Sequence, residues 1–255
     1  MEPLLEVHQV RLSFGGLQAL DGPSLTVAEG EVVGLIGPNG AGKTSLFNCI
    51  SGLYRPQSGN IRVRGQEVVG LPRHRIAGLG VGRTFQNIGL LPSQTVLHNV
   101  MAGAYHATEG GWWATALALP RIGRTEDELR ARALELLHEL GLATVAGRVV
   151  GTLPFGTLKR IELARALIGS PRLLLVDEPA NGLVHGEVQE LGETLRRLAA
   201  ERGASILLVE HHMGLVTSVC DRVAVLDFGR LIAQGDPHEV ARDPDVIAAY
   251  LGRAA

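Results

Sequence analysis

Lysine is nearly absent. Only Lys43 and Lys159 stand among 24 basic residues, so the position of each is informative. Cysteine is as rare: Cys49 and Cys220 both fall in apolar helical patterns, and neither has a partner at metal-ligand spacing. That excludes a disulfide scaffold and reads as two reduced core thiols of a cytosolic protein. Charge of either sign is not in excess. The net value is -2, so no broad basic field points to nucleic acid or anionic lipid. No apolar run is long enough to span a membrane, and the opening "MEPLLEVHQV" is acidic, without a secretory pattern. Internal repeats and low-complexity tracts are also missing.

What is present is a 255-residue chain with 45% apolar residues, 33 glycines and 12 prolines. It is long for one compact domain, short for two, and rich enough for a large core. Residues 4–12 and 60–64 read as short alternating strands with glycine turns, a small antiparallel sheet at the front. "EVVGLIG" (31–37) reads as a buried strand, with a helix following from about Lys43. Further buried strands are "LLLV" (173–176), "SILLV" (205–209) and "RVAVL" (222–226). Strands alternating with helices predict a parallel sheet covered on both faces. Between them the chain turns helical, with Leu129, Ala133, Leu136, Leu137 and Leu140 on one helix face and a flexible joint at "ALALPRIGR". The expected division is therefore an α/β core from 1–86 and 161–255, with an inserted helical subdomain at 87–160.

"GPNGAGKT" follows a strand and opens a helix. This is the phosphate-loop pattern in the context it requires. The glycines let the backbone of Gly37, Pro38, Asn39, Gly40, Ala41 and Gly42 curl so that successive N–H groups face phosphate oxygens. The helix N-terminus adds partial positive charge, Lys43 a compact cation, and Thr44 a hydroxyl for Mg²⁺. "GLGVG" at 78–82 lacks the dinucleotide spacing and reads as a turn.

"LLLVDEP" ends a buried strand with Asp177 and Glu178. An acid at the C-terminal edge of a parallel strand faces the crevice where ligands bind. Asp177 would hold Mg²⁺ through water, and Glu178 would take a proton from attacking water. Two histidines follow the next strand, but adjacent residues at a strand end point apart, which argues against His211 and His212 sharing a metal.

"GPNGAGKT", "RTFQN", "LPFGTLKRIELARAL", "LLLVDEP" and "ILLVEHH" occur in this order with suitable gaps. The ordered set resembles the ATP-binding subunits of ABC transporters along nearly the whole chain. "FGGLQALDG", "VGRTFQN", "TVLHNV" and "GDPHEVARDPDVIAAYLG" look like the ATPases of branched-chain amino acid importers, and those for urea and short amides look similar. The resemblance implies a RecA-like P-loop core and an ATP hydrolase. Its site would include Ser45 beside the loop, Gln86 reaching Mg²⁺ and water, and His211 at the γ-phosphate. Phe14 would stack on adenine, although a core phenylalanine explains it as well. Leu153, Pro154, Phe155, Gly156 and Thr157 match the signature that faces a partner's ATP, with the helix running from Thr157 and with Arg160, Glu162 and Arg165 on its polar side. Trp112 and Trp113 read as packing within the insertion.

The implied assembly is two such subunits, two integral membrane permeases and, indirectly, a substrate-binding protein, on the inner face of the membrane. A nucleic-acid or ribosome ATPase of this class usually carries tandem domains or long helical arms, and a P-loop kinase or GTPase gives no reason for Glu178 or His211. The chain departs from the family at Pro154, where serine is usual, at Thr157, often glutamine, and at Val184, normally Asp or Asn. His185 and Gly186 also break the expected run. All of these serve the partner's ATP. The groups for this chain's own ATP are intact, so of a homodimer and an asymmetric heterodimer the second is favoured.

Overall fold

The computed structural model describes residues 3–84, 89–104 and 120–251, the stretch 120–125 as backbone only. In chain order its elements are β1 (Leu5–Phe14), β2 (Leu17–Asp21), β3 (Leu25–Val27), β4 (Val32–Ile36), α1 (Lys43–Ile50), β5 (Ser58–Val63), β6 (Gln66–Glu67), α2 (Arg73–Gly78), β7 (Val81–Arg83), α3 (Val96–Ala102), α4 (Pro120–Glu139), α5 (Phe155–Leu167), β8 (Leu173–Asp177), α6 (His185–Arg202), β9 (Ser205–Val209), α7 (Met213–Val219), β10 (Arg222–Asp227), β11 (Arg230–Gly235), α8 (Pro237–Val240) and α9 (Pro244–Leu251). They fall into two units, 1–83 with 172–255, and 84–171.

The first unit holds two sheets. One is antiparallel, in the order β2-β1-β5-β6, with β3 also paired to β1. The other runs β11-β10-β4-β9-β8-β7 and is parallel from β10 to β7. β11 closes the far edge antiparallel to β10. β4, β8 and β9 are buried at every position, as strands covered on both faces must be. Period two divides their side chains. Val33, Leu35, Leu173, Leu175, Leu207 and Val209 join Leu46, Phe47 and Ile50 of α1 in one core, which continues into Leu5, Val7 and Val10 of β1. On the other face Gly34 has no side chain because Cys220 Sγ and Val223 Cγ1 would lie 3.0 Å from its Cβ. Both cysteines are buried and free, and burial pushes each thiol up to about 12.

One sequence expectation is overturned here. The "GLGVG" stretch is not only a turn: Val81 and Gly82 open β7, which pairs with Leu173–Leu175 of β8. A three-residue edge strand has too short a pattern to register in sequence. Gly80 O anchors it by accepting from the N–H groups of Arg172 and Leu173.

The second unit is helical. Thr95 caps α3, accepting from His98 N–H at 3.2 Å. Asn99 of α3 is fully buried and satisfied, accepting from Leu91 N–H and donating to the carbonyls of Leu91 and Thr95. α3 packs against both α4 and α5. The expected face of α4 is the buried one: Leu129, Ala133, Leu136 and Leu137 are covered, as is Leu140 just beyond it. The joint expected at "ALALPRIGR" falls on the start of α4 and on 116–119, which lie outside the described residues.

Candidate functional site

β4 delivers the chain to the phosphate loop, and α1 takes it away. Gly37 has φ 142, and a Cβ there would lie 2.1 Å from Leu226 O. Gly42, the left-handed N-cap of α1 at φ 103, would put a Cβ 2.5 Å from Ala19 O. At both positions the backbone passes so close to a neighbour that only glycine fits. No side chain caps α1 and its first turn holds no acid, so its N–H groups and dipole stay available to an anion. Lys43 is buried. Its Nζ donates to Gly37 O at 2.7 Å and Pro38 O at 2.9 Å. Burial lowers its pKa, and the charges of Glu178 and Asp177 oppose that shift. Thr44 is exposed and Ser45 half-buried beside it, while Asn39 and Gly40 form the exposed tip between half-buried Pro38 and buried Ala41.

β9 lies between β4 and β8. The C-terminal ends of three neighbouring parallel strands therefore carry the loop, then Glu210 and His211, then Asp177 and Glu178. Parallel strands end together, so these groups gather at one sheet edge. Asp177 is buried, and its Oδ2 accepts from Arg83 Nη2 at 3.1 Å. Arg83 Nη1 also donates to Asn48 Oδ1 at 2.8 Å and Ser51 Oγ at 2.6 Å, and the guanidinium sits 5.7 Å over the Phe47 ring. This fork ties the carboxylate to the far end of α1. Burial pulls the Arg83 pKa down, and Asp177 counters it.

Glu178 adopts φ 45 while its N–H still donates to Val209 O at 2.9 Å. A non-glycine residue in that region stores about 1–3 kcal/mol of backbone strain. Glu210 is fully buried. Its carboxylate accepts from the N–H groups of Ala180 at 2.9 Å, His211 at 2.7 Å and His212 at 2.9 Å. It thus binds the turn after Glu178 to the one bearing His211, whose side chain is 57% exposed. His212 is a helix cap, its Nδ1 accepting from Leu215 N–H.

Phe14 is 46% exposed and meets Tyr54 edge-on at 5.1 Å, so it is not a core side chain. In the second unit, Leu153 is buried and Pro154 is the N-cap of α5, which begins at Phe155 rather than Thr157. Gly156 and Thr157 therefore belong to its first turn. Pro154 offers no side-chain acceptor, Phe155 is 47% exposed, and Lys159 lies 5.7 Å from its ring. Glu162 corrects the sequence reading: it is buried, not on a polar face, whereas Arg160 is exposed and holds Leu140 O at 2.6 Å. Val184 is the N-cap of α6 and 68% exposed. Gln86, Trp112 and Trp113 lie outside the described residues.

Arg83, Glu210 and Tyr250 escaped the sequence reading. Tyr250, on α9, accepts a hydrogen bond from Gly37 N–H at 2.9 Å. All three lie inside stretches that carry the resemblance, but each acts through a partner distant in sequence, and no local pattern marks its role.

A phosphate loop after a central parallel strand, with a buried acid two strands away, defines a P-loop nucleotide-binding domain. The family model described as ABC transporter matches residues 20–181, and one described as branched-chain amino acid ATP-binding cassette transporter matches 230–255. The chain belongs to the ABC transporter family. It is 42% identical to the high-affinity branched-chain amino acid transport ATP-binding protein BraF of Pseudomonas aeruginosa, over 99% of both chains. It is 40% identical to LivG of Escherichia coli K12, of the same description, again over 99% of both. Among solved structures it resembles the ADP conformation of an ATP-binding cassette of an ABC transporter, with TM-score 0.87 and 29% identity over 99% of this chain and 100% of that one. A dimeric cassette in a post-hydrolysis state with ADP and Pi aligns with TM-score 0.77 and 25% identity over 91% and 98%. Among the described residues no helix is long and apolar enough to cross a membrane.

Proposed function

We propose that this chain is the ATP-hydrolysing subunit of an importer for branched-chain or other hydrophobic amino acids, held on the cytoplasmic face of the membrane by two permease subunits. The observation that carries the chemistry is the gathering of loop, histidine and carboxylate pair on three adjacent strand ends. The descriptions of the full-length relatives support the substrate class.

Lys43 exchanges the carbonyls of Gly37 and Pro38 for the phosphates of ATP, joined by the N–H groups of α1 and by Ser45. Lys43 is buried, so its ammonium is already largely desolvated before nucleotide arrives. Phe14 stacks on the adenine from its exposed position. The hydroxyl of Thr44 and the carboxylate of Asp177 are hard oxygen donors and fit Mg²⁺, with Gln86 as a further ligand. The ion supplies positive charge against the developing charge on the transferred phosphoryl group. Arg83 holds Asp177 by one oxygen and so fixes the direction of the other. Glu178 accepts the proton of the attacking water, and His211 steadies the γ-phosphate.

The first turn of α5, with Leu153 and Pro154 to Thr157, faces ATP bound to a second ATPase subunit. Pro154, Thr157 and Val184 weaken that outward-facing half, since one lost charge-assisted donor is worth about 1.5–3 kcal/mol. A heterodimer follows, in which the site on this chain's own loop is the stronger. A substrate-binding protein acts indirectly, and nucleic acid has no part.

Reconstituting the chain with its permeases, second ATPase and binding protein in liposomes tests the reading. Leucine, isoleucine or valine should raise ATPase activity several-fold above basal. Intact basal activity that neither these three nor phenylalanine or methionine stimulates removes the proposed substrate class.

A further inference from the structure

Gly37 is held from both sides of its residue. Its carbonyl takes the Lys43 ammonium at 2.7 Å, and its N–H is taken by Tyr250 Oη at 2.9 Å, 213 residues further along the chain. The Tyr250 residue is 41% exposed, so filling the core is a weak reason for an aromatic there. A phenylalanine would pack as well. The hydroxyl has its use as an acceptor for an amide that, among the described residues, no strand partner serves, on a residue that is itself buried. Burial also raises the Tyr250 pKa, which keeps the hydroxyl neutral.

α9 is built to present that side chain. Asp243 ends the preceding turn and accepts from Asp245 N–H at 2.8 Å through its side chain and from Ile247 N–H at 2.9 Å through its carbonyl. Val246 is buried, and the helix packs on β11. β11 pairs with β10, whose Leu226 carbonyl bounds Gly37 on the side where a Cβ would fall. One wall of the loop's entry is thus the β10 backbone, and another is the terminal helix.

We propose that Tyr250 is a positioning residue for the phosphate loop, and that α9 is a C-terminal latch coupled to nucleotide binding. The latch rests on the reading that this loop binds ATP. A loop fixed at its first residue meets the phosphates without first ordering itself, so the contact raises affinity. Coupling is reciprocal: if docking of α9 favours nucleotide, nucleotide favours docking of α9.

The test uses the full-length chain, mant-ADP in magnesium buffer, and Tyr250→Phe, which keeps the ring. Y250F should bind mant-ADP about 3- to 10-fold more weakly, the effect of one hydrogen bond, with its thermal midpoint within a few degrees of wild type. By hydrogen exchange, ADP should slow the amides of 244–251 in the wild type and leave them unchanged in Y250F. Equal affinity of Y250F and wild type overturns the proposal, as does α9 exchange that ignores ADP in the wild type. Failure of the wild-type chain to bind mant-ADP overturns the nucleotide reading along with it.

Discussion

Arg83 Nη2 lies 3.1 Å from Asp177 Oδ2, and both side chains are nearly buried, 9% and 1% exposed. Losing that fork leaves a buried carboxylate with a weaker balance of charge. Arg83→Met should therefore destabilise the chain by about 3–5 kcal/mol. Arg83→Lys keeps a charge but not the fork that also reaches Asn48 and Ser51, and should fall between. Removing both charges, as Arg83→Met with Asp177→Asn, should recover much of the loss. Urea unfolding of the wild type, R83M, D177N and the double variant measures the coupling, and simple additivity of the two single changes contradicts it.

The glycines of the phosphate loop should differ sharply in tolerance. Gly37→Ala places a methyl 2.1 Å from the Leu226 carbonyl, so backbone must move, and little soluble folded protein is expected. Gly40→Ala meets nothing within 4 Å and carries only the strain of φ 81, about 1–2 kcal/mol. Thermal melts of the two variants check the order. A G40A protein less stable than G37A contradicts the loop geometry.

Glu210→Gln should loosen two turns at once. The carboxylate serves three backbone N–H groups, and an amide gives one oxygen in place of two while turning an NH₂ toward a donor. The expected loss is about 2–3 kcal/mol. Hydrogen exchange should quicken at Ala180, His211 and His212 together. Faster exchange at only one of those amides would mean the carboxylate does not join the turns.

Stability should fall at alkaline pH because of the two cysteines. Their thiols titrate at about 12 when folded, against an ordinary value of 9.0. Below pH 9 both states bind the protons equally. Between 9 and 12 the unfolded chain loses them first and is favoured, by up to about 1.4 kcal/mol per pH unit for each thiol. Urea midpoints at pH 8 and 10 should differ more in the wild type than in a Cys49→Ala, Cys220→Ala protein. The native thiols should also resist a thiol reagent at pH 8 until the chain unfolds.

Local placement was the legible part. The loop could be read because strand, glycines, lysine and helix start are consecutive, and the buried strands because every position is apolar. Asp177 and Glu178 were legible by their place at a strand end. Arg83, Glu210 and Tyr250 were not, because each acts on residues 94, up to 30 and 213 positions away, and nothing local marks a long-range partner. Glu162 misled because a charged residue on a helix is usually solvated, and here the helix is covered on that side. β7 was too short for its period to show.

Glu178→Gln on the assembled transporter tests the central claim most directly. The change is nearly isosteric and leaves Lys43, Thr44 and Asp177 in place. The account predicts ATP binding within a few-fold of wild type and phosphate release slowed about 10²- to 10⁴-fold, the usual worth of a general base. Phosphate release near the wild-type rate, with the corresponding change in the second ATPase abolishing it, would contradict the claim that this chain's own loop and carboxylates form the working site.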